Sequence, residues 1–591
     1  MNKMLGAMPE WDLSDLYSAP DSKELKADLE TADRDARKFQ EDYQGKLAQL
    51  SGDELAAAIA QFEAMSEKLY RIMAFASLRY AADLSNGENA KFNQTMQEKV
   101  TEISSHSLFF TLEINRLDDE LLAGKVKASK QLEYYGSWLR DLRAFKAHQL
   151  SDEAEKLLHE REVAGRSAWV RLFDETMAGL RFPLGDKSLT SAEILHLMSG
   201  KDAGLRREAA QSFGKVLGDN ARLFALITNT LIKEKEIDDK WRHYAQPTSY
   251  RNLSNQVEDE VVEALSKAVS ASHGRLSHRY YRLKAKWFGV EALDYWDRNA
   301  PLPEDDDRLI PWQQAEETVL NAYRAFSPTL ADVGQRFFEG GWIDAPARPG
   351  KSPGAFAHPT VPSAHPYLLL NYQGKGRDVQ TLAHELGHGV HQVLAGEQGL
   401  FRAETPLTLA ETASVFGEML TFRALLAAET RPERKRVMLA SKVEDMLNTV
   451  VRQIAFYDFE RRLHTERRGG ELMPERIGEI WVEVQKQSLG PAIRFHAEYQ
   501  YYWAYIPHFV HTPFYVYAYA FGDCLVNALF AVYQSGMPGF EEKYIEMLKA
   551  GGTLRHKELL APFGLDASDP AFWTKGLDII SGMIDELESL G

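Results

Sequence analysis

Three histidines and a glutamate crowd into TLAHELGHGVHQ, residues 381–392. His384 and His388 stand four positions apart, and Glu385 directly follows the first. On a helix, positions i and i+4 share a face about one turn apart, so both imidazoles can reach one Zn²⁺ through bonds of about 2.0–2.1 Å. Glu385 is then angled to meet a water on that ion without ligating it. Zinc would bring the water's pKa toward about 7 and polarise a scissile carbonyl, leaving Glu385 to take the proton and pass it to the leaving group. The chemistry spelled by this segment is metal-assisted hydrolysis.

His391 returns to the same helical face, but a straight helix carries it about 10.5 Å from His384, too far to share the ion. The metzincin arrangement turns the chain at a glycine in that position and takes a third histidine three residues on. Here those positions are His391 and Leu394. His391 is therefore expected beside the site, in a supporting or packing role. The third ligand must come from another element, as in zinc sites of two histidines and a glutamate. Glu397, Glu404, Glu411 and Glu418 are the downstream candidates. Glu411 lies in TPLTLAETASVFGEML, an apolar-faced segment after Pro406 that reads as helix. A carboxylate among Leu409, Ala410, Val415 and Phe416 is costly to bury without a cation. Glu418, seven residues later on that face, is placed to orient a histidine ligand through its second nitrogen.

The elements around this segment are mostly helical. Leu55, Ile59, Phe62, Leu69, Ile72, Met73 and Tyr80 recur at three- and four-residue steps, and Asn86-Gly87 reads as a helix stop. Phe92, Met96, Val100, Ile103, Phe110 and Ile114 repeat the pattern. After about residue 285 the rhythm changes. Glu304–Asp307 reads as a solvated acidic run, and residues 340–366 as a long turn-rich stretch, the kind of loop that is usually functional or disordered. PYLLLNY, 366–372, is the best strand candidate, and helices resume to the end. The expected fold is mainly α with a small sheet beside the site.

TLAHELGHGVH followed by LAETASVFGE resembles the M3 family of zinc oligopeptidases, in particular its oligoendopeptidase F branch. The likeness extends through GKSPGAF and PYLLLNYQGKGRDVQTLAHELGH, and returns in WDLSDLY near the start and HFVHTPFYVYAYAFG near the end. It thus spans nearly the whole chain. The resemblance implies one Zn²⁺ held by His384, His388 and Glu411, with Glu385 as catalytic base. It also implies a two-lobed helical body enclosing a deep channel that admits short peptides. Family members use a histidine and tyrosines from the segment matching 507–519 to stabilise the transition state. Here that points to His508 and Tyr517 first, then Tyr515, with His511 and Tyr519 also available. PYLLLNY is expected to offer a strand edge to extended substrate backbone, flanked by Gly354, Ala355 and Phe356. Two other motif likenesses fail: GAMPE at 6–10 departs from the zinc-aminopeptidase element at Pro9, and PGKS at 349–352 lacks the first P-loop glycine, having Ala345 instead.

Bulk properties agree with this reading and exclude others. A chain of 591 residues with 44% apolar and 26% charged residues is an ordinary globular protein with room for at least two lobes. We expect an N-terminal helical domain over 1–195 and a catalytic zinc peptidase domain over 196–591. A net charge of −17 disfavours a nucleic-acid partner. The single cysteine, Cys524, and the lack of an apolar leader in the opening residues suit a cytoplasmic protein. Residues 499–522 carry no Asp, Glu, Lys or Arg before Asp523 and are long enough to span a bilayer. Pro507, Pro513 and a run of tyrosine hydroxyls, which lipid would leave without partners, argue instead for a buried interior segment. No membrane partner is expected. The leading function is a zinc endopeptidase acting on oligopeptides; a helical zinc carboxypeptidase and a non-catalytic peptide-binding relative are the alternatives.

Overall fold

The computed structural model describes residues 5–162, 164–302 and 309–590. The acidic run Glu304–Asp307 lies outside the described residues. The fold is mainly α, as expected, and the chain compacts into two units, each assembled from three separate segments. Unit 1 comprises Met1–Lys146, Asp307–Ala428 and Gly536–Gly564. Unit 2 comprises Ala147–Asp306, Glu429–Ser535 and Leu565–Gly591.

In unit 1 the first periodic stretch forms the helix Gly52–Ala82, opened by a capping box in which Ser51 and Glu54 each satisfy the other's backbone N–H. Leu55, Ile59, Leu69 and Ile72 are buried along it, as their spacing requires. Asn86-Gly87 behaves differently from a stop signal. Asp83 ends the first helix, while the Asn86 side chain accepts from the N–H groups of Glu88 and Asn89 and starts the helix Gly87–Ser105. An Asn whose side chain faces two free N–H groups is worth more as a start than as an end.

The stretch 340–366, which reads as loop, supplies two strands. Ile343–Pro346, Tyr367–Tyr372 and Phe356–His358 form a three-stranded sheet in that spatial order, the first pair parallel and the second antiparallel. Tyr367–Tyr372 is therefore the central strand, and its partners occupy both of its edges. Its run of apolar residues fits that place, since Tyr367, Leu368 and Leu369 are fully buried and each such side chain contributes roughly 1.5–3 kcal/mol. Ile343–Pro346 and Phe356–His358 are the two outer strands, the latter with Phe356 opposite Leu369 and His358 opposite Tyr367.

The helix Gly376–Ala395 carries HELGH. Asp378 anchors its first turn by accepting from the N–H groups of Gln373 and Lys375, both at 2.9 Å. The helix packs in unit 1 against Trp312–Phe326, Pro328–Glu339, Ser414–Ala428 and the sheet. Its approach to the sheet is close: a Cβ at Gly389 would lie 2.6 Å from the Phe337 ring and 3.3 Å from Leu368. Tyr323, fully buried, donates its hydroxyl proton to the Ala383 carbonyl at 2.6 Å, which ties the helix to its neighbour just before His384.

In unit 2 the segment 499–522 does not form one span. It divides into a 3₁₀ stretch Ala497–Tyr505, a short turn of helix His508–His511, and the start of the buried helix Tyr517–Gln534. Among the described residues no helix is long and apolar enough to cross a membrane. The PGKS lysine is also accounted for. Lys351, buried, donates to Asp344 O, Asp344 Oδ1 and Pro346 O, which uses all three of its protons.

Candidate metal centre and active site

His384 and His388 project from one face of their helix, ring centroids 4.9 Å apart and nearly perpendicular. Both Nε2 atoms face Glu411 Oε2, at 3.3 Å from His384 and 3.4 Å from His388. One ligand atom from each of the three lies within 4.8 Å of the others. A tetrahedral ion with bonds of about 2.0–2.1 Å holds its ligand atoms about 3.3–3.4 Å apart, so these gaps suit such an ion. The donor set of two imidazoles and a carboxylate is also one that zinc takes.

Glu411 does not sit inside a helix, as the apolar face of its segment suggests. A helical turn Leu407–Ala410 ends at it, with Glu411 at φ −80° and ψ 1°, and a new helix begins at Ser414. The break has identifiable supports. Tyr544 donates to Thr412 O at 2.7 Å, and Ser414 Oγ donates to Glu411 Oε2 at 2.6 Å. The HELGH helix can press against this turn because residue 387 is glycine. A Cβ there would meet Ala413 O at 2.5 Å, a contact the backbone could relieve only by moving.

Glu418, on the helix Ser414–Ala428, lies 3.1 Å from His384 Nδ1 through Oε2. An ionised carboxylate only accepts, so Nδ1 carries the proton and the ring orientation is set by that bond. Burial pulls the His384 imidazole down, but its hydrogen bonds to Glu411 and Glu418 outweigh that and hold it up at about 10. Burial would likewise raise Glu411, yet the two histidines hold it well below the ordinary carboxylate range. Two carboxylates bracketing one histidine leave surplus negative charge, an electrostatic setting for a cation.

Glu385 is 8% exposed, and burial raises its carboxyl although His384 and His388 pull the other way. A carboxyl lifted toward neutral is better matched to taking and returning a proton. His391 stands outside the three-residue grouping. It is buried, and burial lowers it to about 4, so it is neutral. A cavity of about 840 Å³ within unit 1 opens beside His388 and His391, bordered by Met73, His358, Thr360 and Val361.

Gly354 and Ala355 lead into the outer strand Phe356–His358, which Phe356 begins. Asn371 Nδ2 donates to the carbonyls of Ser352 and Gly354 at 2.9 and 2.8 Å, which shapes that approach. The free edge of this sheet next to them belongs to Phe356–His358 and not to PYLLLNY, contrary to the expectation from sequence.

The residues named from 507–519 lie in unit 2 and separate into two groups. His508 and Tyr519 are within hydrogen-bond distance, Nε2 to Oη 3.3 Å, and Tyr515 packs edge-on to Tyr519 with centroids 5.1 Å apart. All three rings are half-buried. Tyr517 is fully buried, packs on Tyr457, and accepts a hydrogen bond from Asn255 Nδ2 at 3.0 Å. Its placement with His508 at the head of the candidate donors is therefore corrected: it has no exposed surface to offer a substrate. His511 pairs with Asp174 at 2.8 Å on the surface. FYVYAYA places the tyrosines two apart, and the helix Tyr517–Gln534 buries Tyr517 while leaving Tyr519 half-buried; Tyr515, in the turn before that helix, packs on Tyr519 from outside it.

Comparison with known proteins gives concordant results. A family model described as "Peptidase family M3" matches residues 196–579, and one described as "Oligopeptidase F" matches 113–182. The chain is 25% identical to Oligopeptidase PepF of Bacillus subtilis, over 98% of this chain and 87% of that protein. It is also 25% identical to an oligoendopeptidase F homolog of Lactococcus lactis, over 98% and 97%. Among solved structures, one from Chlamydophila abortus aligns with TM-score 0.86 at 24% identity, covering 98% of both chains. That of oligoendopeptidase-F from Enterococcus faecium aligns with TM-score 0.72 at 22% identity, covering 96% and 99%.

Proposed function

Because the chain belongs to peptidase family M3 and is a metallopeptidase that hydrolyses peptide bonds, we propose that it is a zinc-dependent endopeptidase cutting internal bonds of short oligopeptides. The observation that carries this reading is the convergence of His384, His388 and Glu411 beside the buried Glu385. On this reading the three are the ligands of one Zn²⁺, within a catalytic domain over 196–591 that follows an N-terminal helical domain over 1–195. Zinc, when bound, supplies a Lewis acid that polarises the scissile carbonyl and acidifies the attacking water.

The chain's own groups do the rest. Glu385 takes the proton of the attacking water and returns it to the leaving amine, a cycle suited to a carboxyl raised by burial. Glu418 keeps the proton on His384 Nδ1, so that Nε2 presents its lone pair. The outer strand Phe356–His358, reached through Gly354 and Ala355, pairs with extended substrate backbone. For the hydrogen bonds that stabilise the oxyanion, His508, Tyr515 and Tyr519 are the assigned donors. What supports them is their partial exposure and mutual contact. His391 packs beside the ligands as a neutral ring. The single cysteine favours a cytoplasmic setting.

Mass spectrometry of products from a mixed peptide library, with and without chelator, tests the reading. Internal cuts confined to short peptides and abolished by chelation are expected. Stepwise trimming from the C-terminus would replace it with a carboxypeptidase, and binding without turnover would leave a non-catalytic peptide-binding protein.

A further inference from the structure

Phe514 has φ 61°, a left-handed backbone that a bulky side chain holds only when its surroundings over-determine it. Its ring is fully buried, 4.6 Å from the His464 ring and 6.1 Å from that of Tyr457. On one side of the turn, the Pro513 carbonyl accepts from Arg251 Nε at 3.3 Å. On the other, the Phe514 N–H donates to Glu460 Oε1 at 2.9 Å. Glu460 lies on the helix Val451–Arg467 and is 2% exposed. Its second oxygen, Oε2, is buried with no hydrogen-bond partner among the described residues.

A buried carboxyl that makes one hydrogen bond is a poor way to stabilise a core, because an apolar side chain would fill the space without desolvating a polar group. The single bond it makes goes to the strained turn. The next residue is Tyr515, whose ring lies 5.9 Å from the Arg251 guanidinium and 5.1 Å from the ring of Tyr519, which in turn reaches His508. We propose that Glu460 is a positioning residue: by holding the Phe514 N–H it fixes the left-handed turn that aims Tyr515 and Tyr519 toward His508. This rests on the reading of those three side chains as transition-state donors. Burial pushes Glu460 up to about 8, against the pull of the Phe514 N–H, Arg251 and Lys235. Near neutral pH the group is therefore largely an uncharged acid, and a carboxamide is its closest mimic.

The test is steady-state cleavage of an internally quenched peptide by the full-length zinc-loaded protein, with melting temperature and zinc content recorded for each variant. Glu460→Gln, which keeps an acceptor for the Phe514 N–H, should hold kcat within about twofold of wild type. Glu460→Met, which removes it, should lower kcat about 10- to 100-fold with KM and zinc content unchanged. Glu460→Asp draws the acid back by one methylene and should lose kcat in the same direction; it serves where the Met variant does not fold. His508→Ala, run in parallel, should also lose kcat. Wild-type kcat in Glu460→Met or Glu460→Asp, with His508→Ala impaired, overturns the positioning role. Wild-type kcat in His508→Ala overturns the underlying reading of the donors instead.

Discussion

Glu385 and Glu411 are carboxylates in one site with opposite settings. The histidines hold Glu411 well below its ordinary range, while burial lifts Glu385. This difference suits the roles proposed for them: Glu411, as a ligand, must stay ionised, and Glu385, as a base, must accept and release a proton. Glu385→Gln keeps the shape but cannot take a proton, so kcat should fall about 10²- to 10⁴-fold while zinc content, measured by atomic spectrometry, stays at wild-type level. Retained turnover would remove Glu385 from the mechanism. Glu411→Ala leaves two ligands and should lose the metal, whereas His391→Ala should keep it stoichiometrically. Zinc loss in His391→Ala would contradict the separation of about 10.5 Å along the helix, about three times a ligand–ligand gap. At this scale the motif was legible, because the i and i+4 relation is set by helix geometry alone. The glutamate that faces the two histidines was not singled out by spacing, since four downstream glutamates lie within reach of a chain that is free to turn.

At the scale of elements, the site depends on a helix pressed against a broken one. Gly387 lets the HELGH helix meet the turn at Ala413, and the second helix then brings Glu418 to His384 Nδ1 at 3.1 Å. Glu418→Ala should weaken zinc affinity about 10- to 100-fold, read by competition with a chromophoric chelator, with the three ligands unchanged. Unaltered affinity would make the contact incidental. The apolar face of TPLTLAETASVFGEML suggested one helix, and the interruption at Glu411 comes from tertiary partners, Tyr544 among them, that no local pattern contains. The same holds for the sheet. PYLLLNY is a strand because of its composition, but whether a strand is central or outer depends on which other segments come to lie beside it. The Pro- and Gly-rich stretch 340–366 hid two short strands for the same reason. FYVYAYA set Tyr517 ahead of its neighbours, but the helix Tyr517–Gln534 buries that ring and leaves Tyr519 half-buried, with Tyr515 in the turn before it.

Across the whole molecule, folding stability carries a pH signature from buried neutral histidines. His464 is 6% exposed, and burial lowers it from an ordinary value of 6.5 to about 3. Above pH 6.5 neither the folded nor the unfolded chain protonates it, so it contributes no slope. Between 6.5 and about 3 the unfolded chain takes up a proton that the folded one refuses, so stability falls as the pH falls. Melting temperatures of wild type and His464→Gln, compared from about pH 7.5 down to about 4, should therefore converge or cross as acid is added, because the variant lacks that penalty. A constant gap would mean that His464 titrates normally in the fold. The sequence by itself determined the features that local periodicity and residue chemistry dictate: a mainly helical chain, two histidines on one helical face with a glutamate between them, and the motif order that marks the family. Tertiary structure alone decided which glutamate faces the histidines, which strands are outer, which tyrosine accompanies His508, and how six chain segments assemble into two compact units. Helix geometry ties residues a few positions apart by fixed backbone bonds, whereas those other choices depend on packing between segments that the chain keeps tens to hundreds of residues apart.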